Sequence, residues 1–299
     1  DSASLRSSIV SHAKMLGYEV SSPKAPKATI NISLSTSKTT ATMSAGTAFT
    51  TTVNGTSYQF VTIADITGSN TGSAVPFDST EIYEGTYVTT KYLVDSSNVD
   101  QRFIITDNRA DTTTLTVKVQ NSATDTTTTT YTKATDITQL SASSTVYYLQ
   151  EIEVGRFEVY FGDGIVSQAL SDGNIVSLSY VVTNKTESNG ASSFSSPSAI
   201  DTVTDITITT VANASGGSEA ESIQSIKLNA PLDYAAQGRA VTSEDYKLYA
   251  RKLFANTQTV SVWGGEDGSY NTWKSFYLHQ KYNWRKLNDH TERPIGERL

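Results

Sequence analysis

Residues 157–180, FEVYFGDGIVSQALSDGNIVSLSY, decide what kind of protein this is. Two Asp-Gly pairs, Asp163-Gly164 and Asp172-Gly173, lie nine residues apart within it. Such pairs occur in calcium loops, in phosphate loops and in tight turns between strands. An EF-hand loop beginning at Asp163 would put Ile165 at its third position, Ser167 at its fifth and Asn174 at its twelfth, where glutamate is required. A phosphate loop would need GxxxxGK[ST] opening a helix, and neither the lysine nor the helix is there. The flanks alternate instead, with Phe157, Val159 and Phe161 before the pairs and Ile175 to Tyr180 after them. Glycine enters the left-handed region without steric cost, so both pairs read as turns in a hairpin-rich segment spanning 146–215.

Upstream, residues 28–145 form a Thr/Ser-rich β module. Alternation is plain in ATINISLS, through Ile30, Ile32 and Leu34, and in TLTVKV, through Leu115, Val117 and Val119. Gly46 sits in the turn SAGT, and Asn54-Gly55 between two strand-like runs is the strongest local hairpin signal. The run DTTTTTYT at 125–132 reads as strand, because threonine is β-branched and a glycosylated stalk would contain proline. Residues 1–27 read as a helix and connector: Leu5, Ile9, Ala13 and Leu16 recur at helical spacing, Gly17 ends the helix, and Pro23 and Pro26 mark an extended exit.

Downstream the period changes again. Residues 216–268 read as a helical, mixed interaction part. One helix is expected over Ser218–Asn229 with Pro231 beyond its end. A second is expected over Thr242–Phe254, with Thr242 as N-cap and Asp245 three residues on. TVSVWGG then closes the coherent part as a last strand. Residues 269–299 are atypical. The last thirty residues hold two of the three histidines, two of the three tryptophans and a net charge of +3, leaving −10 on residues 1–269. The expectation is that this tail does not belong to the native fold. The fold class expected is α+β: mostly antiparallel β modules with a mixed α/β part near the C-terminus.

Composition limits the chemistry. A net charge of −7 argues against a nucleic-acid partner, which needs excess Lys and Arg. No run of about 18 apolar residues and no basic-then-apolar start occurs, so neither a membrane span nor a secretion signal is read. The absence of cysteine removes disulfides, thiolate metal sites and Cys nucleophiles, and fits assembly in a reducing cytoplasm. With the tail set aside only His12 remains, which makes neither a zinc site nor a triad. No GxSxG elbow is present. Glu81, Glu84, Glu151 and Glu153 are the carboxylates from which a hydrolase pair would be built, but exposed strand glutamates are the ordinary case. No catalytic residue, cofactor, metal or small-molecule substrate is expected. A carbohydrate-binding β module of adhesin type remains the alternative, since Thr/Ser-rich β domains with exposed tyrosine suit it. Tyr234, Arg239, Tyr246, Tyr249, Arg251, Leu253 and Phe254 form an aromatic- and Arg-rich set around the two C-terminal helices. That is the composition of subunit interfaces, and the set is the expected self-association surface.

Several stretches, taken in order, carry a resemblance. They are MLGYEV (Met15–Val20), AGTAFTTTVNGTSYQFVT (Ala45–Thr62), YEGTY (Tyr83–Tyr87), QRFII (Gln101–Ile105), DTTTLTVKV (Asp111–Val119), YYLQEIEVGRFEVYFGDG (Tyr147–Gly164), and GGSEAESIQSIKLNAP followed by RAVTSEDY (Arg239–Tyr246). The chain resembles the baseplate J-like family, and most closely the large baseplate wedge subunits of T-even-like contractile-tailed phages. It departs from the family at Lys185, where glycine usually follows Thr-Asn, and beyond Asp267. The family's proteins are longer, so the chain is expected to be a fragment. The resemblance implies a non-enzymatic scaffold that dimerises, contacts other baseplate wedge proteins and links wedges into a ring around the tail hub. It implies a place in the virion's tail baseplate after assembly in the host bacterial cytoplasm.

Overall fold

The alternation at 30–34 builds the middle of the first sheet. A computed structural model describes residues 4–98, 101–135, 139–153, 155–253, 259–263, 277–281 and 293–294. Its chain divides into a central unit, 21–220, and a terminal unit made of 1–20 and 221–299.

In the central unit, β1 (Lys27–Ser35) turns Ala28, Ile30, Ile32 and Leu34 inward and its other side chains outward, as a strand with one covered face must. There follow β2 (Thr40–Met43), β3 (Ala48–Val53), β4 (Thr56–Val61), β5 (Ile66–Ser69) and β6 (Ala74–Glu84). β3 and β4 form the hairpin that Asn54-Gly55 announces: both residues have positive φ, 51° and 83°, as a type I′ turn requires. The chain then leaves this sheet for β7 (Thr86–Leu93), β8 (Phe103–Ile105), β9 (Ala110–Gln120), β10 (Thr128–Lys133), β11 (Val146–Glu153), β12 (Arg156–Phe161) and β13 (Ile175–Val182). It returns as β14 (Ile206–Ser215), which pairs with β1 and completes the order β14-β1-β6-β4-β3. The excursion is thus an insertion, and its own order is β7-β13-β9-β10-β11-β12-β8.

Every pairing in the seven-stranded sheet is antiparallel except β10 with β11, so the sheet is mixed. It folds over one core, where Tyr92 from one edge strand meets Phe103 from the other edge-on, ring centroids 5.7 Å apart. Phe161 receives the rings of Phe103 and Tyr131 in the same manner. Tyr131 is the one buried side chain of the threonine run, which explains why that run is a strand and not a linker. β10 and β11 flank the expected 145/146 boundary and lie side by side in this sheet. β12 pairs with β11 and β8, and β13 with β7 and β9, so the Asp-Gly turns connect strands that are not hairpin partners. That corrects the hairpin reading. Local turn chemistry sets the turn but not which edge the following strand finds.

In the terminal unit, α1 (Arg6–Met15) ends where Gly17 takes φ 76°. Its Ile9, Val10 and Ala13 pack with Tyr18, Val20, Ile226 and Ala230, while Leu5 is exposed. α2 (Ile223–Ala236) starts later than expected, capped by Ser222, whose Oγ accepts from Ser225 N at 3.2 Å. Its first turns are lost to an extended segment in which Ser218 bridges Lys24. The helix also runs through Pro231 and stops only at Gln237, φ 49°. Proline removes one intrahelical bond there, yet the helix continues beyond it to bury Ala236. α3 (Ser243–Leu253) carries the expected reciprocal box: Thr242 N donates to Asp245 at 2.8 Å and Asp245 N to Thr242 Oγ1 at 3.2 Å. β15 (Thr259–Trp263) pairs with β16 (Tyr277–Lys281), which pairs with β17 (Arg293–Pro294). Part of the tail expected to lie outside the fold is thus paired, through main-chain bonds that need no side-chain pattern. With antiparallel and mixed sheets and few helices among the described residues, the chain is β-rich.

Candidate functional site

Two crossings of the central unit are closed by main-chain hydrogen bonds. Lys24 and Ser218 exchange two main-chain bonds where the unit begins and ends. Thr86 lies opposite Val182 where the insertion begins and ends. Between these two closures sit the buried carboxylates Glu84 and Asp111.

Glu84 is the last residue of β6 and fully buried. Its carboxylate accepts from Thr183 Oγ1 at 2.7 Å, Asn184 N at 2.9 Å and Asn184 Nδ2 at 2.8 Å. Its own N–H donates to Pro26 O at 2.9 Å. Gly85 follows at φ 125°, donating to Gln59 O and lying directly on the carbonyl of Val182. Lys185 holds φ 67°, the left-handed conformation in which glycine is at ease. It does so because its N–H reaches Thr183 Oγ1 at 2.8 Å and its ammonium pairs with Glu219 at 2.5 Å.

Asp111, near the start of β9, accepts from Ala25 N at 2.8 Å and from Thr113 N and Oγ1 at 2.8 and 2.6 Å. Ser22 Oγ bonds Thr112 Oγ1 beside it. Burial raises the Asp111 carboxyl above its ordinary value, and the Thr113 and Ala25 hydrogen bonds pull the other way without cancelling it. A group whose folded pKa is raised contributes most to stability below its unfolded pKa and loses that contribution as pH rises through the folded one. Wild type should therefore gain stability relative to Asp111→Asn as pH falls from 7 through the carboxylate range. Denaturant midpoints of both proteins at several pH values measure this, and a flat difference would refute it.

Elsewhere on the insertion, Glu158 is buried and takes a bidentate Arg102 at 2.7 Å for both bonds, with Gln150 Nε2 at 2.9 Å. Glu151 is buried and accepts from Gly155 N at 3.1 Å. The expectation of exposed strand glutamates therefore fails for Glu84 and Glu151. Local sequence holds no signal for Glu84, since its partners lie about a hundred residues away. Glu81 is the ordinary case, half-exposed and paired with Lys27 at 2.7 Å, which lowers its carboxyl. All these carboxylates are engaged by structural donors. Among the described residues no group of three or more His, Cys, Asp or Glu is placed to hold a metal.

The residues expected in self-association occupy α2, α3 and the turn between them. Tyr234 and Arg239 are exposed, and Tyr246 and Tyr249 are half-buried. Burial, then the charges of Asp233 and Asp245, raises the Tyr249 hydroxyl. Arg251 and Leu253 belong to the last turn of α3, and Phe254 lies outside the described residues. The turn residues are found with positive φ at Gly46, Asn54, Gly55, Gly164 and Gly173. Asp163 Oδ1 accepts from Ile165 N and Asp172 Oδ1 from Ser96 N, at 3.0 and 2.9 Å. On the insertion, Tyr148 and Tyr160 stack at 5.1 Å, and Tyr160 stays 41% exposed.

With this geometry in hand, two comparisons bear on the chain. Residues 86–191 match the family model described as bacteriophage baseplate wedge protein gp6, third domain. The match begins with β7 and includes the whole insertion. Baseplate wedge protein gp6 of Enterobacteria phage T4 is 26% identical over 284 residues, covering 85% of this chain and 41% of that protein. The chain thus spans about two fifths of the length of that relative. It is similar over most of its own length to a phage baseplate wedge protein, and the inserted β7–β13 sheet is the part that carries the family match.

Proposed function

We propose that the chain is part of a structural subunit of a phage tail baseplate wedge, one that self-associates, contacts other wedge proteins and links wedges into a ring around the tail hub. The observation that carries this reading is the coincidence of the family-matched segment, 86–191, with an insertion whose ends are clamped to the parent sheet. A part that transmits force between neighbours needs its domains tied at every crossing, and the buried carboxylates are spent on such ties. A wider kinship with baseplate J-like proteins, a place in the virion baseplate and assembly in the host bacterial cytoplasm belong to the same reading, as does a scaffold role without catalysis.

The alternative, a carbohydrate-binding module, draws on the exposed ring of Tyr160 stacked on Tyr148. One experiment separates the two. The chain, mixed with the other wedge proteins of its phage, should co-sediment with them as one complex and leave a glycan array blank. Glycan binding without co-sedimentation would overturn the scaffold reading.

A further inference from the structure

We infer that a cleft between β5 and β6 receives an arginine side chain of another wedge protein. The inference rests on the wedge reading above and gives it one docking site of stated chemistry.

The cleft exists because two neighbouring strands part. β6 pairs with β4 through Glu84 and Tyr83, which lie opposite Phe60 and Val61. Beyond Val61 the chain leaves that ladder and comes back close to β6 as β5. The approach there is so tight that a Cβ on Gly68 would come within 2.6 Å of Val75 Cγ1 and 2.9 Å of the Pro76 carbonyl oxygen. The space left between the two paths is about 450 Å³, within the range of ligand pockets. One wall carries Ile63 and Ile66, and the other runs along β6 from Pro76 to Tyr83.

β6 is bulged where it lines this space. Phe77 lies opposite Ile32 and Thr80 opposite Ile30, so Asp78 and Ser79 together face Asn31. Ser79 takes φ 50°, and its N–H donates to Asn31 Oδ1 at 2.7 Å, which holds the bulge in place. Bulges re-aim side chains and recur beside functional sites. This one puts Asp78, exposed, on the cleft while Phe77 and Thr80 stay buried.

Charge selects the occupant. Among the described residues, the charged ones lining the cleft are Asp78 and Glu81, both acidic. Glu81 is already paired with Lys27 at 2.7 Å and accepts from the Tyr83 hydroxyl at 2.9 Å. Asp78 has no cation paired with it among the described residues. A carboxylate beside an apolar wall suits a cation on an aliphatic stem. Arginine fits better than lysine, because its guanidinium is weakly hydrated, pairs with a carboxylate through two parallel bonds and stacks on rings such as that of Tyr83. Residues 1–269 carry a net charge of −10, which draws a basic partner segment toward the chain.

Two measurements on the full chain test this. N-acetylarginine amide should shift the amide NMR signals of Gly68, Ser79 and Thr80 saturably. N-acetylcitrulline amide, which keeps the shape without the charge, should not. Asp78→Asn should weaken binding of the arginine probe about tenfold. Asp78→Lys should weaken co-sedimentation with the other wedge proteins about tenfold, with the circular dichroism unchanged. Asp205→Lys makes the same change of charge at an exposed residue outside the cleft and should leave co-sedimentation as it was. Citrulline binding equal to that of arginine, or no saturable shift with either, would overturn the inference. Undiminished co-sedimentation of Asp78→Lys would also overturn it, and would leave the wedge reading standing on other contacts. An equal loss in Asp205→Lys would make the effect one of net charge and overturn the site. Wild type that fails to co-sediment would overturn the wedge reading, and the docking role with it.

Discussion

Gly85→Ala is expected to destabilise the central unit by more than about 4 kcal/mol, lowering its melting temperature by roughly 8–16 °C or more. Two costs add. At φ 125° any side chain is strained, a penalty of about 1–3 kcal/mol. An added Cβ would also overlap the carbonyl oxygen of Val182 and approach Val181 Cγ1 to 2.9 Å. A flexible side chain could swing aside, but a strand carbonyl moves only with its strand. β13 is bonded on both sides, to β7 and β9, so relief at Val182 must break pairing at the mouth of the insertion. Gly55→Ala is the control, because Gly55 also has positive φ but has no atom within 4 Å of the added methyl. It should cost about 1 kcal/mol. Calorimetry of the two variants decides the matter, and equal losses would show that the close approach at Gly85 is unimportant.

Glu84→Ala should cost about 4 kcal/mol, while Glu84→Gln should cost only about 1–2 kcal/mol. The alanine variant leaves the buried Thr183 hydroxyl unsatisfied, at about 1–3 kcal/mol, and takes from the exposed Asn184 two bonds to a charged acceptor, at about 1 kcal/mol each because water can replace them. Glutamine keeps one oxygen for the Thr183 hydroxyl and the Asn184 N–H, and its amide meets an Asn184 side chain that can turn its own oxygen forward. The loss should also be local. Hydrogen exchange at Val182 and Thr183 should rise more than at Ile30 or Ile32, in the middle of the parent sheet. Uniform exchange would mean that the tie does not hold the crossing in particular. Together these substitutions ask whether the insertion and its parent sheet are held as one piece, as the proposed wedge role requires.

Much of the local structure was legible without coordinates. Period-two burial in β1, the Asn54-Gly55 turn, the Thr242–Asp245 box and the stop at Gly17 all rest on interactions within a few residues, and such interactions are written in order along the chain. Even the threonine run could be read as strand, because β-branching acts residue by residue.

What depended on distant residues was not legible. The sequence shows strands in line, but β14 pairs with β1, β13 with β7, and Ser218 with Lys24, so the chain is nested rather than serial. No local pattern encodes the partner of an edge, since every strand offers the same main-chain groups. For the same reason Glu84 looked like any strand glutamate until Thr183 and Asn184 came to meet it. Helix α2 runs on through Pro231 to bury Ala236, a continuation that the local proline signal argues against. The sequence by itself determined where the chain turns and which faces are apolar, because backbone preference and solvent exclusion act locally. Only the tertiary structure decided which ends meet and which carboxylates are buried, because those depend on contacts between residues far apart along the chain.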